Sequence, residues 1–162
     1  MPTKANDPSI ERYSCTPVCC VTIAFEAAGP CIGPAGDVLY VPLRIIGGGV
    51  TGLGPDKRVL YGSDFASMYA DEKLVHDGNL VIGDPAGNAL IWYDGTSQGQ
   101  EGAYDELLEG GLPGPMPSRL NLHAVSTNPL WKVLNGKPLL GVGSFDGAAG
   151  TLEFTLLSIT EN

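Results

Sequence analysis

Residues 21–62 read VTIAFEAAG (21–29), GPCIGPAGD (29–37), LYVPLRIIGGGVTG (39–52) and GPDKRVLYG (54–62). A β-branched run enters a Gly/Pro turn, returns as an alternating strand and stops at three consecutive glycines. That is how a chain turns a corner in a tightly curved sheet. The stretch predicts a small closed β structure.

The rest of the chain repeats the pattern. Asp77-Gly78, Asp94-Gly95, Asn135-Gly136 and Asp146-Gly147 are dipeptides that favour tight turns, and Ala86-Gly87-Asn88 is a further turn signal. Between them lie strand-like runs at 18–27, 38–46, 65–75, 79–83, 89–93, 119–125, 138–142 and 151–159, with a short one near 58–61. Eight or nine short strands with close turns predict an antiparallel barrel or sandwich. Two segments interrupt the meander. Residues 101–117 are acidic and then rich in Gly and Pro (EGGLPGPMP, 109–117), which suits a mobile rim loop and a lid. Residues 126–135 carry Asn128-Pro129 as a helix start and Asn135-Gly136 as a stop, so a two-turn helix bearing Trp131 and Leu134 is expected.

Composition narrows the class. The 162 residues, 43% of them hydrophobic, suffice for one well-buried core, so a single domain over 1–162 is expected, with 1–14 as a flexible amino-terminal extension. No apolar run approaches the roughly 20 residues of a membrane span, and MPTKANDPSIERYS (1–14) lacks a signal-peptide core. A soluble, cytoplasmic protein is expected. A net charge of −9 repels phosphate backbones and anionic membranes, so neither nucleic acid nor membrane is an expected partner. Cys15, Cys19, Cys20 and Cys31 contain no C-x-x-C and lie far from His76, which argues against a metal site; buried or half-buried thiols are expected.

GGGVTG (47–52) satisfies G-x-G-x-x-G, but the LGPDKR that follows has no helical pattern to receive a pyrophosphate. Serine-hydrolase, zinc-protease and P-loop signatures are also missing from the sequence.

The order of motifs is itself informative. Gly29-Pro30, VPLRIIGGGVTG (41–52), YGSDF (61–65), Asp77-Gly78, residues 88–95, LWKVLN (130–135) and GVGSFDGAAGTLEFTLLSI (141–159) together resemble a family of small proteins of unknown function with a lipocalin-like barrel. The resemblance spans nearly the whole chain; Phe65 stands where tryptophan is common in that family, and Val133 where a second aromatic residue is expected. It implies an all-β fold, an antiparallel lipocalin-like β-barrel of about eight to ten strands with one short helix. Similar fungal proteins are cyclases of prenylated phenalenones and related aromatic polyketides. They add a phenol oxygen across a prenyl alkene, an intramolecular hydroalkoxylation. The resemblance implies the same cofactor-free reaction, on an apolar aromatic substrate held in the barrel. The rival expectation is a non-catalytic, dirigent-like binding barrel.

Adding O–H across an alkene needs no redox cofactor. It needs a group that deprotonates or polarises the phenol, a proton source aimed at the alkene carbon and a dry cavity. Asp64, in YGSDFASMY (61–69), is a candidate acid/base; its alternative role is a turn-capping carboxylate. In VLYVPLRII (38–46), Tyr40 and Arg44 share one strand face and point together into a cavity or out to solvent. Inside, Arg44 would hold a phenolate and Tyr40 would line the substrate, with Tyr61 beside it. Tyr93 in ALIWYDG (89–95) is expected inside and Trp92 outside. His123 in RLNLHAV (119–125) is either a surface residue or a proton shuttle. Trp131 either plugs a barrel end or stacks on substrate. His76, before an expected turn, is assigned to solvent, as are Glu26 and Glu153. Apolar residues on both faces of LLGV (139–142) and LIWY (90–93) predict a homodimer or higher oligomer.

Overall fold

A computed structural model describes residues 13–129 and 131–161. Along the chain they form β1 (Tyr13–Ala27), β2 (Ile32–Ala35), β3 (Val38–Thr51), β4 (Lys57–Tyr69), β5 (Lys73–Gly83), β6 (Ala89–Gln98), α1 (Ala103–Leu108), β7 (Pro115–Ser126), a 3₁₀ turn (Lys132–Leu134), β8 (Leu139–Asp146) and β9 (Thr151–Glu161). Each strand pairs antiparallel with its neighbours in the order β1-β9-β8-β7-β6-β5-β4-β3, and β3 pairs back onto β1. Eight strands thus close a barrel and remove all sheet edges except along β3, where the four-residue β2 adds one extra strand. The fold is the expected all-β barrel with one short helix.

The period of two decides what fills it. Leu39, Val41, Leu43 and Ile45 of β3, Leu80 and Ile82 of β5, and Leu120 and Leu122 of β7 are buried inside, while their sequence neighbours face out. At roughly 25 cal/mol per Å² of apolar surface removed from water, this packed interior is the main term holding the barrel closed.

Several local expectations are corrected by the pairing. The three glycines do not stop a strand: β3 runs on to Thr51, and Gly47, Gly48 and Gly49 pair with Ala24, Ile23 and Thr22 of β1. Gly48 has φ of 127°, and a Cβ there would lie 1.9 Å from the Thr22 carbonyl oxygen, so the corner is made within a continuous strand. Asp77-Gly78 and Asp94-Gly95 are mid-strand, facing each other across β5 and β6. The run at 65–75 is divided by a turn between β4 and β5. Residues 101–117 are not a bare loop, because 103–108 form α1 and β7 begins at Pro115. The helix expected over 126–135 is reduced to the 3₁₀ turn Lys132–Leu134: the Asn135 side chain accepts from the Ser126 N–H and donates to the Ser126 carbonyl, tying the segment back to the end of β7 after one turn. The expected extension 1–14 lies outside the described residues except for Tyr13 and Ser14, which begin β1.

The two barrel ends differ. At one end Trp131 is fully buried, and Lys57, also buried, donates to the Leu53 and Pro55 carbonyls and pairs with Asp84 at 3.2 Å. At the other end α1 and the chain following it cross the mouth, with Ala103 and Leu107 buried against the interior.

Candidate active site

One row across the inner wall builds the site. Asp64 on β4 is paired with Gly78 on β5, and Gly78 with Tyr93 on β6. A Cβ on Gly78 would sit 2.1 Å from the Tyr93 ring, so only glycine lets the ring cross β5. Its hydroxyl then donates to Asp64 Oδ2 at 3.0 Å.

His76, two residues before Gly78 on the same inward row, completes the set. Its Nδ1 lies 2.7 Å from Asp64 Oδ2 and its Nε2 2.6 Å from Ser97 Oγ. Ser97 Oγ is 2.5 Å from Ser118 Oγ, and Ser118 donates to the Met116 carbonyl at 3.2 Å. The other Asp64 oxygen accepts the Asp77 backbone N–H at 3.1 Å. A continuous polar chain, Tyr93–Asp64–His76–Ser97–Ser118, therefore crosses four strands inside an otherwise apolar barrel, and all five residues are buried.

Buried polar groups must be paired or they cost about 1–3 kcal/mol each, and here every member has a partner. Burial first, then the charge and hydrogen bond of Asp64, pushes the Tyr93 phenol well above its ordinary value. Tyr93 therefore stays a hydrogen-bond donor. The His76 ring is oriented by a carboxylate, the arrangement that makes an imidazole an effective acid/base.

Between this chain and the mouth lies an apolar wall. Val41, Leu43, Met68 and Leu74 meet Leu107, Leu112 and Pro113 from the α1 segment, enclosing about 10 Å³ of free space, room for roughly one water. Phe145 belongs to both regions: it lines that space, stacks on Phe25 at 5.0 Å, and its ring lies 5.3 Å from His76. The α1 segment is fastened by Glu72, whose carboxylate accepts the Gly102 N–H at 3.1 Å and the Tyr104 N–H at 2.6 Å. Glu72 holds φ of 68°, a conformation uncommon for a side-chain-bearing residue.

The residues singled out from sequence divide cleanly. Asp64 and Tyr93 come together inside, and Trp92 lies 45% exposed on the other face. Asp64 caps no turn; it sits mid-strand. Arg44 points outward, with a side chain 60% exposed and paired with Glu26 at 3.1 Å. Tyr40 shares that outer face beside Phe65, and Tyr61 and His123 are likewise exposed outside, so none of these four reaches the interior chain. Trp131 is buried at the end of the barrel opposite α1, away from the Tyr93–His76 chain. The thiols are corrected in part: Cys19 is buried, but Cys15, Cys20 and Cys31 are exposed.

His76, Ser97 and Ser118 were missed. The signal for His76 was present, since Leu74, His76, Gly78, Leu80 and Ile82 form one inward row, but the Asp77-Gly78 turn signal masked it. No group of three or more His, Cys, Asp or Glu side chains suited to a metal ion occurs among the described residues.

No protein-family model matches the chain, and no curated protein matches it either. Solved structures do. A conserved protein of unknown function from Rhodopseudomonas palustris superposes with a TM-score of 0.76 at 18% identity, covering 91% of this chain and 97% of its own. A protein of unknown function from Clostridium acetobutylicum gives the same score and identity over 91% and 99%. An enzyme from Penicillium herquei gives 0.65 at 11% identity over 98% and 99%. At these identities the likeness establishes the barrel fold shared along nearly the whole chain.

Proposed function

We propose that this barrel is a cofactor-free cyclase that closes an oxygen heterocycle on a prenylated aromatic polyketide, such as a phenalenone, by intramolecular hydroalkoxylation. The observation that carries the reading is the buried Tyr93–Asp64–His76 cluster directly behind an apolar mouth. Structural likeness to a Penicillium herquei enzyme is consistent with it.

The reaction breaks the phenol O–H bond and the alkene π bond and forms one C–O and one C–H bond, so a proton moves from oxygen to carbon and no electron is exchanged with a cofactor. His76, oriented by Asp64, gives a proton to the alkene carbon and recovers one from the phenol. Tyr93, kept neutral by its surroundings, donates a hydrogen bond and does not act as a base. The apolar wall of Val41, Leu43, Met68 and Phe145 excludes water that would intercept a cationic intermediate. A substrate of this class needs a site of several hundred Å³, so the α1 segment must swing away to admit it. On this reading Arg44 and His123 take no part in the chemistry. The protein acts in the cytoplasm on a small apolar molecule, as a homodimer or larger assembly joined through outer-face residues such as Tyr61 and Phe65.

The test is incubation with a panel of prenylated phenols and phenalenones, followed by chiral chromatography. A single-enantiomer ring-closed product of unchanged mass is expected, with turnover reduced roughly 10²–10⁴-fold in Asp64→Asn and His76→Gln. Binding without product, or racemic product at the background rate, would favour the rival reading of a binding barrel.

A further inference from the structure

A hydroxyl carries one proton, so the buried chain can run in either of two directions, and in one of them the Met116 carbonyl also receives a donor. In that direction the Ser118 proton goes to the Met116 carbonyl at 3.2 Å. The 2.5 Å contact between Ser97 and Ser118 is then donated by Ser97. With the Ser97 proton spent, the 2.6 Å contact to His76 Nε2 is then donated by the ring. Nδ1 faces Asp64 Oδ2 at 2.7 Å, an oxygen that already accepts from Tyr93, so Nδ1 is also a donor.

We propose that Ser97 and Ser118 are positioning residues that hold His76 doubly protonated and release one proton by reversing together. Charge balance selects this direction over its reverse. Among the described residues, Asp64 on β4 is the one carboxylate hydrogen-bonded to His76. Tyr93 and Ser97 on β6, Ser118 on β7 and Phe145 on β8 bring no charge. Asp77, next to His76 on β5, gives Asp64 its N–H while its side chain lies exposed. Lys57 is at the opposite end of the barrel, and Arg44 is outside. An imidazolium brings the buried cluster to zero net charge, whereas a neutral ring leaves an uncompensated carboxylate, which is costly in a low dielectric.

The reversed arrangement needs only two O–H rotations. Ser118 donates to Ser97, Ser97 donates to Nε2, the ring is neutral, and the Met116 carbonyl loses its side-chain donor. Proton loss from Nε2 and reversal of the hydroxyl pair are thus one event, which suits a ring that must deliver a proton and recover it. That catalytic use rests on the function proposed above; the protonation itself does not.

The chain has two histidines, so nitrogen NMR of histidine-labelled protein at neutral pH resolves His76 once His123→Gln has assigned the other. The wild type should show both His76 nitrogens protonated. In Ser118→Ala, Ser97 loses its acceptor and turns to Nε2, so the pattern should shift to one protonated and one bare nitrogen. Ser118→Thr, which keeps the hydroxyl, should restore the wild-type pattern. A neutral His76 in the wild type would overturn the proposal even if the alanine variant fails to fold, and so would an unchanged pattern in a folded Ser118→Ala. Product formation with a neutral His76 would sink the relay and leave the cyclase standing; a doubly protonated His76 without product would do the reverse.

Discussion

The Tyr93 ring lies across Gly78, its partner on the neighbouring strand, and this crossing delivers its hydroxyl to Asp64 on the strand beyond. A methyl group on Gly78 would overlap the ring at 2.1 Å. Gly78→Ala should therefore force the ring aside, break the Tyr93–Asp64 hydrogen bond and destabilise the fold by about 2–4 kcal/mol, combining overpacking with a lost bond to a carboxylate. Urea unfolding measures the loss. A wild-type midpoint in the alanine variant would mean that the ring does not need this passage.

Stability at alkaline pH should report on Tyr93. Its phenol is held well above the ordinary value near 10, so above pH 10 the unfolded chain loses a proton that the folded chain keeps. More protons are bound in the native state, and stability falls with pH at up to about 1.4 kcal/mol per unit from this group. Tyr93→Phe should remove that part of the slope. It should also cost roughly 1–3 kcal/mol at neutral pH, because Asp64 loses one of its donors. Equal slopes above pH 10 in the two proteins would contradict the placement.

Cys19 sets an overlapping window. Burial first, then the neighbouring Cys20, pushes its thiol from 9.0 up to about 11. The folded state again retains the proton, so its contribution is intact below pH 9 and is lost between pH 9 and 11, by up to about 2 kcal/mol. Cys19→Ala should flatten this portion of the curve. Thiol labelling gives a second check: Cys15, Cys20 and Cys31 are exposed and should react promptly, with Cys19 far slower.

Glu72 fastens the segment that closes the mouth. Glu72→Ala removes the acceptor of the Gly102 and Tyr104 amides. Hydrogen exchange at those two amides should accelerate roughly tenfold, the effect of about 1.4 kcal/mol of local opening, while the β-strand amides keep their protection. Uniform acceleration across the barrel would show that the segment is part of the global fold and not an independently opening cover.

The antiparallel all-β class was legible from the sequence because period-two alternation and frequent turn signals are local properties, and so was the division of each strand into two faces; these left barrel and sandwich open, and the resemblance pointed to the barrel. Leu39, Val41, Leu43 and Ile45 separate from Tyr40, Pro42, Arg44 and Ile46 on alternation alone. Which face turned inward was not written there. Both faces of that strand are rich in apolar atoms, so the side chosen for Arg44 and Tyr40 followed from how the sheet closed.

The site depended on closure still more. Asp77-Gly78 and Asp94-Gly95 look like turns locally, yet they lie opposite one another in mid-strand, where Gly78 makes room for a ring and Gly95 faces His76. The contacts joining Asp64, His76, Ser97 and Ser118 run between strands, and a shift of one residue in any of those pairings would turn a member outward. The sequence by itself determined an antiparallel all-β chain with Asp64 and Tyr93 among its chemically able residues. Only the tertiary structure decided that His76 and two serines join them, because hydrogen bonds of 2.5–3.0 Å across four strands depend on registers fixed by the whole barrel together.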